Sequence, residues 1–277
     1  MREIAIRLIR NPLGVAGLAL ISLALFLAVA GPILAPYDPT QFHARARLQG
    51  PSAAFWLGTD QFGRDIFSRI LWGARSTIVF GLTATMLGTT FGMCIGLVSG
   101  YVGGRADEIV MRLIDAKMAI PNLLFTLLIL TVLGGNATNA VIAVAIAFTP
   151  SMARITRSVV LSERTRDYVN AARARGESSA YIMFREILPN VAAPVIVESS
   201  IRVAFAVMLG ATLSYLGLGV QPPSPDWGLM IAEARSFLQR SAWLALWPGL
   251  SIAVVAIGFN LFGDGLRDAL NPRVGEA

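Results

Sequence analysis

Two ionisable side chains, Glu198 and Arg202, stand four residues apart inside an otherwise apolar run. That spacing, glutamate first, sets both on one helix face. Charges within a membrane span are costly and often mark a transport path. The same pair can also be self-neutralised, facing protein near the cytoplasmic third of its helix, and the sequence leaves both readings open. Elsewhere the chemistry is sparse. A phosphate-binding loop needs Gly-x-x-x-x-Gly-Lys-Ser/Thr, yet the sole lysine, Lys117, lies between Ala116 and Met118, so the chain has no Walker A motif. His43 is the single histidine and Cys94 the single cysteine. Neither a His-pair metal site nor an internal disulfide can be built from them, and a Ser-His-Asp arrangement has little support. His43 reads as an ordinary loop histidine and Cys94, in an apolar stretch, as a small buried hydrophobe. No catalytic residue, metal ligand or cofactor of its own is expected, and the chain does not read as an enzyme.

The elements that must position these residues are membrane helices. Of 277 residues, 55% are hydrophobic and 14% charged, against about 25% charged in soluble domains, and the mean hydropathy is +0.63. A soluble fold of this size could not hide that much apolar surface. The net charge is +6, and the positive charge is almost all arginine, placed between apolar runs. That pattern fits basic loops flanking spans and not the basic stripe of a nucleic-acid-binding surface. A span needs about 20 apolar residues. Six runs qualify, at about 13–35, 76–100, 107–134, 138–153, 191–217 and 242–263. The first could instead be a cleavable signal peptide, because Ala28-Val29-Ala30 resembles a cleavage site, but the apolar run continues beyond it to Pro32 and Ala35. The predicted architecture is all-α and integral to the membrane. An N-terminal span with an external loop (1–75) precedes a five-helix core (76–263) containing a long polar loop (154–190), and a tail (264–277) follows. With the N-terminus in the cytoplasm, fifteen Lys/Arg fall on cytoplasmic segments and seven on external ones. This favours both termini inside.

Within the second run, Gly88, Gly92, Gly96 and Gly100 recur every four residues. Such a stripe lets another backbone approach closely, either inside the bundle or between subunits. Pro121, Pro150, Pro194 and Pro248 fall in or beside spans, where each removes a backbone donor. The polar loop contains Asp167-Tyr168-Val169-Asn170-Ala171-Ala172-Arg173-Ala174-Arg175-Gly176-Glu177, and then Ile187-Leu188-Pro189. Residues 164–175 are helix formers, Gly176 is a natural stop, and Ser178 or Ser179 can cap a second helix. Pro189 is expected to end that helix before the fifth span. A short helix pair of this kind is a rigid knob for a partner to grip.

This segment resembles the EAA signature of bacterial ABC-importer permeases, with Ala171-Ala172, Gly176 four residues later, and the closing Ile187-Leu188-Pro189. It departs at the first acidic position, which is Asn170 here. If a glutamate there contacts an ATPase by charge, this chain must use a hydrogen bond, or Arg173, Arg175 or Glu177. The segment Leu57-Gly58-Thr59-Asp60-Gln61-Phe62-Gly63-Arg64-Asp65-Ile66-Phe67-Ser68-Arg69 is similar to C-type permeases of dipeptide/oligopeptide importers. So are Gly217 to Pro223 with Asp226-Trp227-Gly228, Gly258 to Asp268, and the module from Asn11-Pro12 to Pro36-Tyr37-Asp38-Pro39. The resemblance covers nearly the whole chain. It implies a type I importer permease in the bacterial inner membrane, paired with a homologous B-type permease. It further implies two cytoplasmic ATPases that hold the ATP and Mg, and a periplasmic or lipid-anchored substrate-binding protein. A peptide is the implied cargo, with nickel chelates, glutathione or another small solute as alternatives. A secondary transporter that needs no ATPase is a more distant reading.

Overall fold

A computed structural model describes residues 2–270. Its regular structure is helical, with no β-strand among the described residues. Ten helices follow one another: α1 (Arg2–Arg10), α2 (Pro12–Leu34), α3 (Ile66–Val102), α4 (Gly104–Met118), α5 (Asn122–Leu133), α6 (Ala137–Glu163), α7 (Asp167–Ala174), α8 (Ser179–Tyr215), α9 (Trp227–Ala234) and α10 (Trp243–Leu270). Local chemistry sets many of the starts. Asn11 caps α2 by accepting from the Leu13 and Gly14 N–H groups, with Pro12 in the first turn. Asp65 caps α3 through Ser68 N–H at 2.8 Å, Asn136 caps α6 through Asn139 N–H at 2.9 Å, and Asp226 caps α9 through Leu229 N–H at 3.0 Å. Each supplies an acceptor that the first helical turn lacks.

Five helices, α2, α3, α6, α8 and α10, are long and apolar enough to cross a membrane. Several outrun the apolar segments that predict them. At 37 residues, α3 is about 55 Å long and begins at Ile66, within the segment read as external loop. Helix α6 continues to Glu163, ten residues into the polar loop, and α10 extends to Leu270. Tail residues 271–277, with Arg273, lie outside the described residues.

The third predicted span, 107–134, is not one straight helix. It is the pair α4 and α5, bent by 92° at the break before Asn122. Two causes are visible in the sequence. Pro121 cannot continue the ladder of α4, and α4 carries Asp107, Glu108, Arg112, Asp115 and Lys117. Helix α5 alone, at 12 residues, is about 18 Å long and too short to span. The bundle therefore has six crossings only if the bent pair counts as one. Asp107 and Asp115 tie α4 to α6 by accepting from Arg157 and Arg154.

Apolar packing follows three clusters along the bundle. Ile21, Ile78, Trp227, Val255 and Phe259 join α2, α3, α9 and α10. Phe80, Leu130, Val144, Phe148 and Leu213 join α3, α5, α6 and α8. Leu97, Met152 and Val160 meet the polar-loop residues Val169, Ala172, Ile182 and Ile187. The segments counted as cytoplasmic converge at one end of the bundle. Asn11 Nδ2 donates to Asp268 Oδ2 at 3.0 Å, and an Arg164 guanidinium nitrogen donates to the Gly100 carbonyl at 2.9 Å. Helix α1 packs here through Leu8 against Gly14.

Candidate functional site: the knob between α6 and α8

The knob consists of α7, a turn and the first part of α8. Helix α7 turns Val169 and Ala172 fully inward, onto Leu97, Met152 and Val160. Asn170, Ala171 and Arg173 face outward, as do Ala174 and Arg175. Gly176 ends the element at φ +76, a left-handed conformation that favours glycine, and open space surrounds its Cα. Ser178 then caps α8, its Oγ accepting from Tyr181 N–H at 3.2 Å. Glu177 is half-buried and lies 3.7 Å from Arg175, which also reaches Glu186 at 3.3 Å. Asn170 is occupied locally: its Oδ1 accepts weakly from Arg173 at 3.4 Å, and the Arg173 guanidinium lies 5.7 Å from the Tyr101 ring. A hydrogen-bond chain ties the base together, from Asn190 Nδ2 to Tyr168 Oη (3.1 Å) and from Tyr168 to Glu163 (2.8 Å). Burial, followed by the bond to the Glu163 carboxylate, raises the Tyr168 phenol above its ordinary range.

Pro189 does not end the second knob helix. The chain passes through a wide π-helical turn at Ile182–Ile187 and runs on as α8 to Tyr215. In that turn the Leu188 N–H reaches back to the Met183 carbonyl, five residues away. The wider winding admits a proline, which has no N–H and would crowd a normal α-turn. Ile187 is fully buried and Pro189 is exposed. The second half of the knob is thus the continuous start of a 37-residue helix, with no hinge at Pro189.

Gly88, Gly92, Gly96 and Gly100 of α3 all face α6. A Cβ on Gly92 would stand 2.5 Å from Met152 Cβ, and one on Gly96 would clash with the Ala153 carbonyl oxygen. Gly88 lies against Ala145 and Phe148, and Gly100 against Val160. The stripe is a close-packed seam inside this chain, running toward the knob core. Glu198 and Arg202 pair across one turn of α8 at 2.9–3.0 Å, both half-buried, with the guanidinium 5.8 Å from the Phe148 ring.

At the other end of the bundle lies a second charged cluster. Asp60 accepts from Arg64 Nε at 2.5 Å and from Arg69 at 2.6 Å, while Glu233 of α9 accepts from Arg64 at 2.7 Å and from Arg69 at 2.9 Å. Beside it the Trp227 Nε1–H donates to the Ile70 carbonyl at 3.0 Å, close to Gly73, whose missing Cβ makes room for the indole.

Comparison with known proteins decides what this arrangement belongs to. Residues 92–276 match the family described as binding-protein-dependent transport system inner membrane component. Residues 1–51 match the N-terminal TM domain of oligopeptide transport permease C. The chain belongs to this permease family. The dipeptide transport system permease protein DppC of Alkalihalophilus pseudofirmus is 41% identical, covering 99% of this chain and 90% of that one. DppC of Haemophilus influenzae is 42% identical over 93% and 90%. The glutathione transport system permease protein GsiD of Pectobacterium atrosepticum is 40% identical over 99% and 91%. Among solved structures, the inward-facing MetNI methionine ABC transporter superposes with a TM-score of 0.60, covering 73% of this permease and 96% of that chain. At 16% identity the likeness is one of fold. This permease is therefore a multi-pass inner membrane protein with an ABC-importer permease fold.

Sequence reasoning about the permease missed the Asp60–Arg64–Arg69–Glu233 cluster as a unit. Its first three members were visible only within a resembling segment, and no local spacing linked them to Glu233, 164 residues beyond Arg69. Cys94, read as buried, is exposed on α3. It sits on the outer face, between glycines that point inward, where a small apolar residue meets whatever surrounds the bundle. His43 sits as a packed loop residue, its Nδ1 3.1 Å from the Gly63 carbonyl and its ring edge-on to Tyr37 and Phe55.

Proposed function

We propose that this permease forms half of the translocation path of an ATP-driven importer of dipeptides or oligopeptides and passes ATPase motion to its spans through the knob. In this reading a homologous permease supplies the other half. Two cytoplasmic ATPases hold ATP and Mg, and a periplasmic or lipid-anchored binding protein delivers cargo at the end of the bundle built from residues 36–65 and 218–241. The observation that carries the reading is the two-sidedness of α7. One face is locked into the bundle by Val169 and Ala172, and the other, from Asn170 to Arg175, is open for a partner. Because α8 is continuous from the knob to Tyr215, displacing the knob tilts a spanning helix directly. ATP and cargo then bias one two-state bundle from opposite ends. The peptide assignment rests on the relatives, whose names specify dipeptides, D,D-dipeptides and glutathione.

Gentle detergent extraction of the tagged chain, with mass-spectrometric identification of its companions, tests the assembly. A second permease and P-loop ATPases are expected, and isolation of the active chain alone would refute it. Gly176→Asp tests the knob. The left-handed backbone strains any side chain, while the open surroundings leave packing intact. The variant should insert normally yet lose most ATP-driven uptake, and normal uptake would remove the knob's role.

A further inference from the structure

Lys117, Glu198 and Arg202 meet at one level of the bundle. The Lys117 ammonium donates to Asn122 Oδ1 at 2.9 Å and to the Ala147 carbonyl, and lies 4.9 Å from the Phe125 ring. Arg202 rests over Phe148. The two cations thus bear on consecutive residues of α6. Ala147 lies within the apolar segment 138–153 of that helix, ten residues and about 15 Å from its start. They have one carboxylate between them, Glu198, and it is taken by Arg202. Among the described residues no carboxylate lies within ion-pair distance of Lys117. Its partners are an amide oxygen, a carbonyl and an aromatic ring, which solvate a cation without neutralising it. An ionisable group at this depth is expensive and normally paired.

The surroundings show what the spare charge faces. The bend before Asn122 turns Met118, Ile120 and Asn122 outward from the chain, so Lys117 sits at an open elbow. Glu198 lines a cleft of about 590 Å³ with Ile155, Asn190, Pro194, Val197 and Arg267. Ile155 and Phe148 are seven residues apart and share one face of α6. The cleft therefore opens at the knob end of the bundle and reaches Glu198, the partner of Arg202.

We infer that Lys117, with Arg202 beside it, is the anion-recognition point of the translocation path and receives the terminal carboxylate of a passing peptide. The assignment deepens the peptide-importer reading and rests on it. The carboxylate supplies the negative charge that the site lacks. Lys117 can meet it by exchanging the Ala147 carbonyl while keeping Asn122, since an ammonium has three donors. Because Glu198 holds Arg202, the site presents about one net positive charge, enough to attract a carboxylate and too little to trap it.

The test uses the complete transporter with its binding protein in proteoliposomes, and dialanine as the probe. Lys117→Gln keeps a donor for Asn122 and removes the charge. It should lower dialanine taken up per ATP hydrolysed about tenfold or more, with the complex intact. Lys117→Arg should retain most of the native uptake, because it keeps the charge and discards the shape of the lysine contacts. Native uptake by Lys117→Gln would overturn the assignment. So would loss of the second permease from that variant's complex, which would make Lys117 a subunit contact. Should Lys117→Gln fail to accumulate, Lys117→Arg decides: an assembled but inactive complex overturns the charge role. Absence of dialanine uptake by the native complex would instead refute the peptide reading itself, and this assignment with it.

Discussion

At the knob end, the outer ion pairs are exposed. Arg154 and Asp115 have side chains 50% and 61% exposed, and Arg175 is 54% exposed beside Glu186. At the opposite end, Arg69 is 1% exposed, Arg64 4%, Asp60 7% and Glu233 17%, and the four close a ring of contacts between the start of α3 and α9. The contrast follows from what desolvation does to a charge. A buried ion keeps its full need for a partner, so the ring admits one arrangement of α3 against α9. An exposed pair is screened by solvent and can open at little cost. One end of the molecule is therefore held in register, and the other presents charges that a partner can regroup.

The sharpest way to break this contrast is Arg69→Met. It removes one cation from a ring of two cations and two anions, and leaves Asp60 and Glu233 sharing Arg64 alone. Loss of one partner from a buried pair costs about 3–5 kcal/mol, so the detergent-solubilised variant should unfold well below the native protein in a thermal melt. Adding Asp60→Asn in the same chain restores the charge balance and should recover part of the loss. If the single variant melts like the native protein, the ring is not what holds this end.

The same contrast explains what was legible in the sequence. The knob could be read because its determinants are local: helix formers over 164–175, Gly176 for the stop and Ser178 for the cap, whereas the burial of Val169 and Ala172 came only from the fold. The glycine stripe on α3 was legible for the same reason, since a four-residue period places Gly88 to Gly100 on one side whatever lies opposite. The charged ring was not, because Arg69 meets Glu233 only after the chain has crossed the bundle several times. Pro189 misled because proline usually stops a helix, and the π-turn that admits it depends on the buried packing of Ile182 and Ile187. The bend at Pro121 was visible as a break, but its 92° angle is set by ties from α4 to α6 that no local pattern shows.

A subtler probe of the held end is Asp226, which caps α9 while buried. Burial raises its carboxyl above the usual range, and the bonds from Leu229 N–H, Ser214 and Thr77 pull it back only in part. A carboxyl raised in the fold favours the native state most when it is protonated. Its contribution is full below the unfolded pKa of about 4 and is lost as pH rises through the folded value. Asp226→Asn keeps the oxygen that caps Leu229 and carries no charge at any pH. Melting temperatures of the two proteins should agree near pH 4, and the variant should become the more stable toward neutrality. A gap that widens on acidification would reverse the sign and show that the charged form is the favoured one.

The smallest effect belongs to the exposed end. Arg154→Ala removes the pair with Asp115, but both side chains are at least half in solvent, and such pairs contribute about 0–1 kcal/mol. Helix α4 also keeps its second tie to α6, Asp107 to Arg157, in which Asp107 is buried and accepts at 2.6 Å. The variant should melt within about 0.5 kcal/mol of the native protein and retain ATP-driven uptake, in contrast to Gly176→Asp, 22 residues further on. Raising salt should erase even that small difference, because exposed charges are screened over about 10 Å at 0.1 M, while the loss in Arg69→Met should persist. Equal salt sensitivity in the two variants would mean that the two ends hold their charges alike.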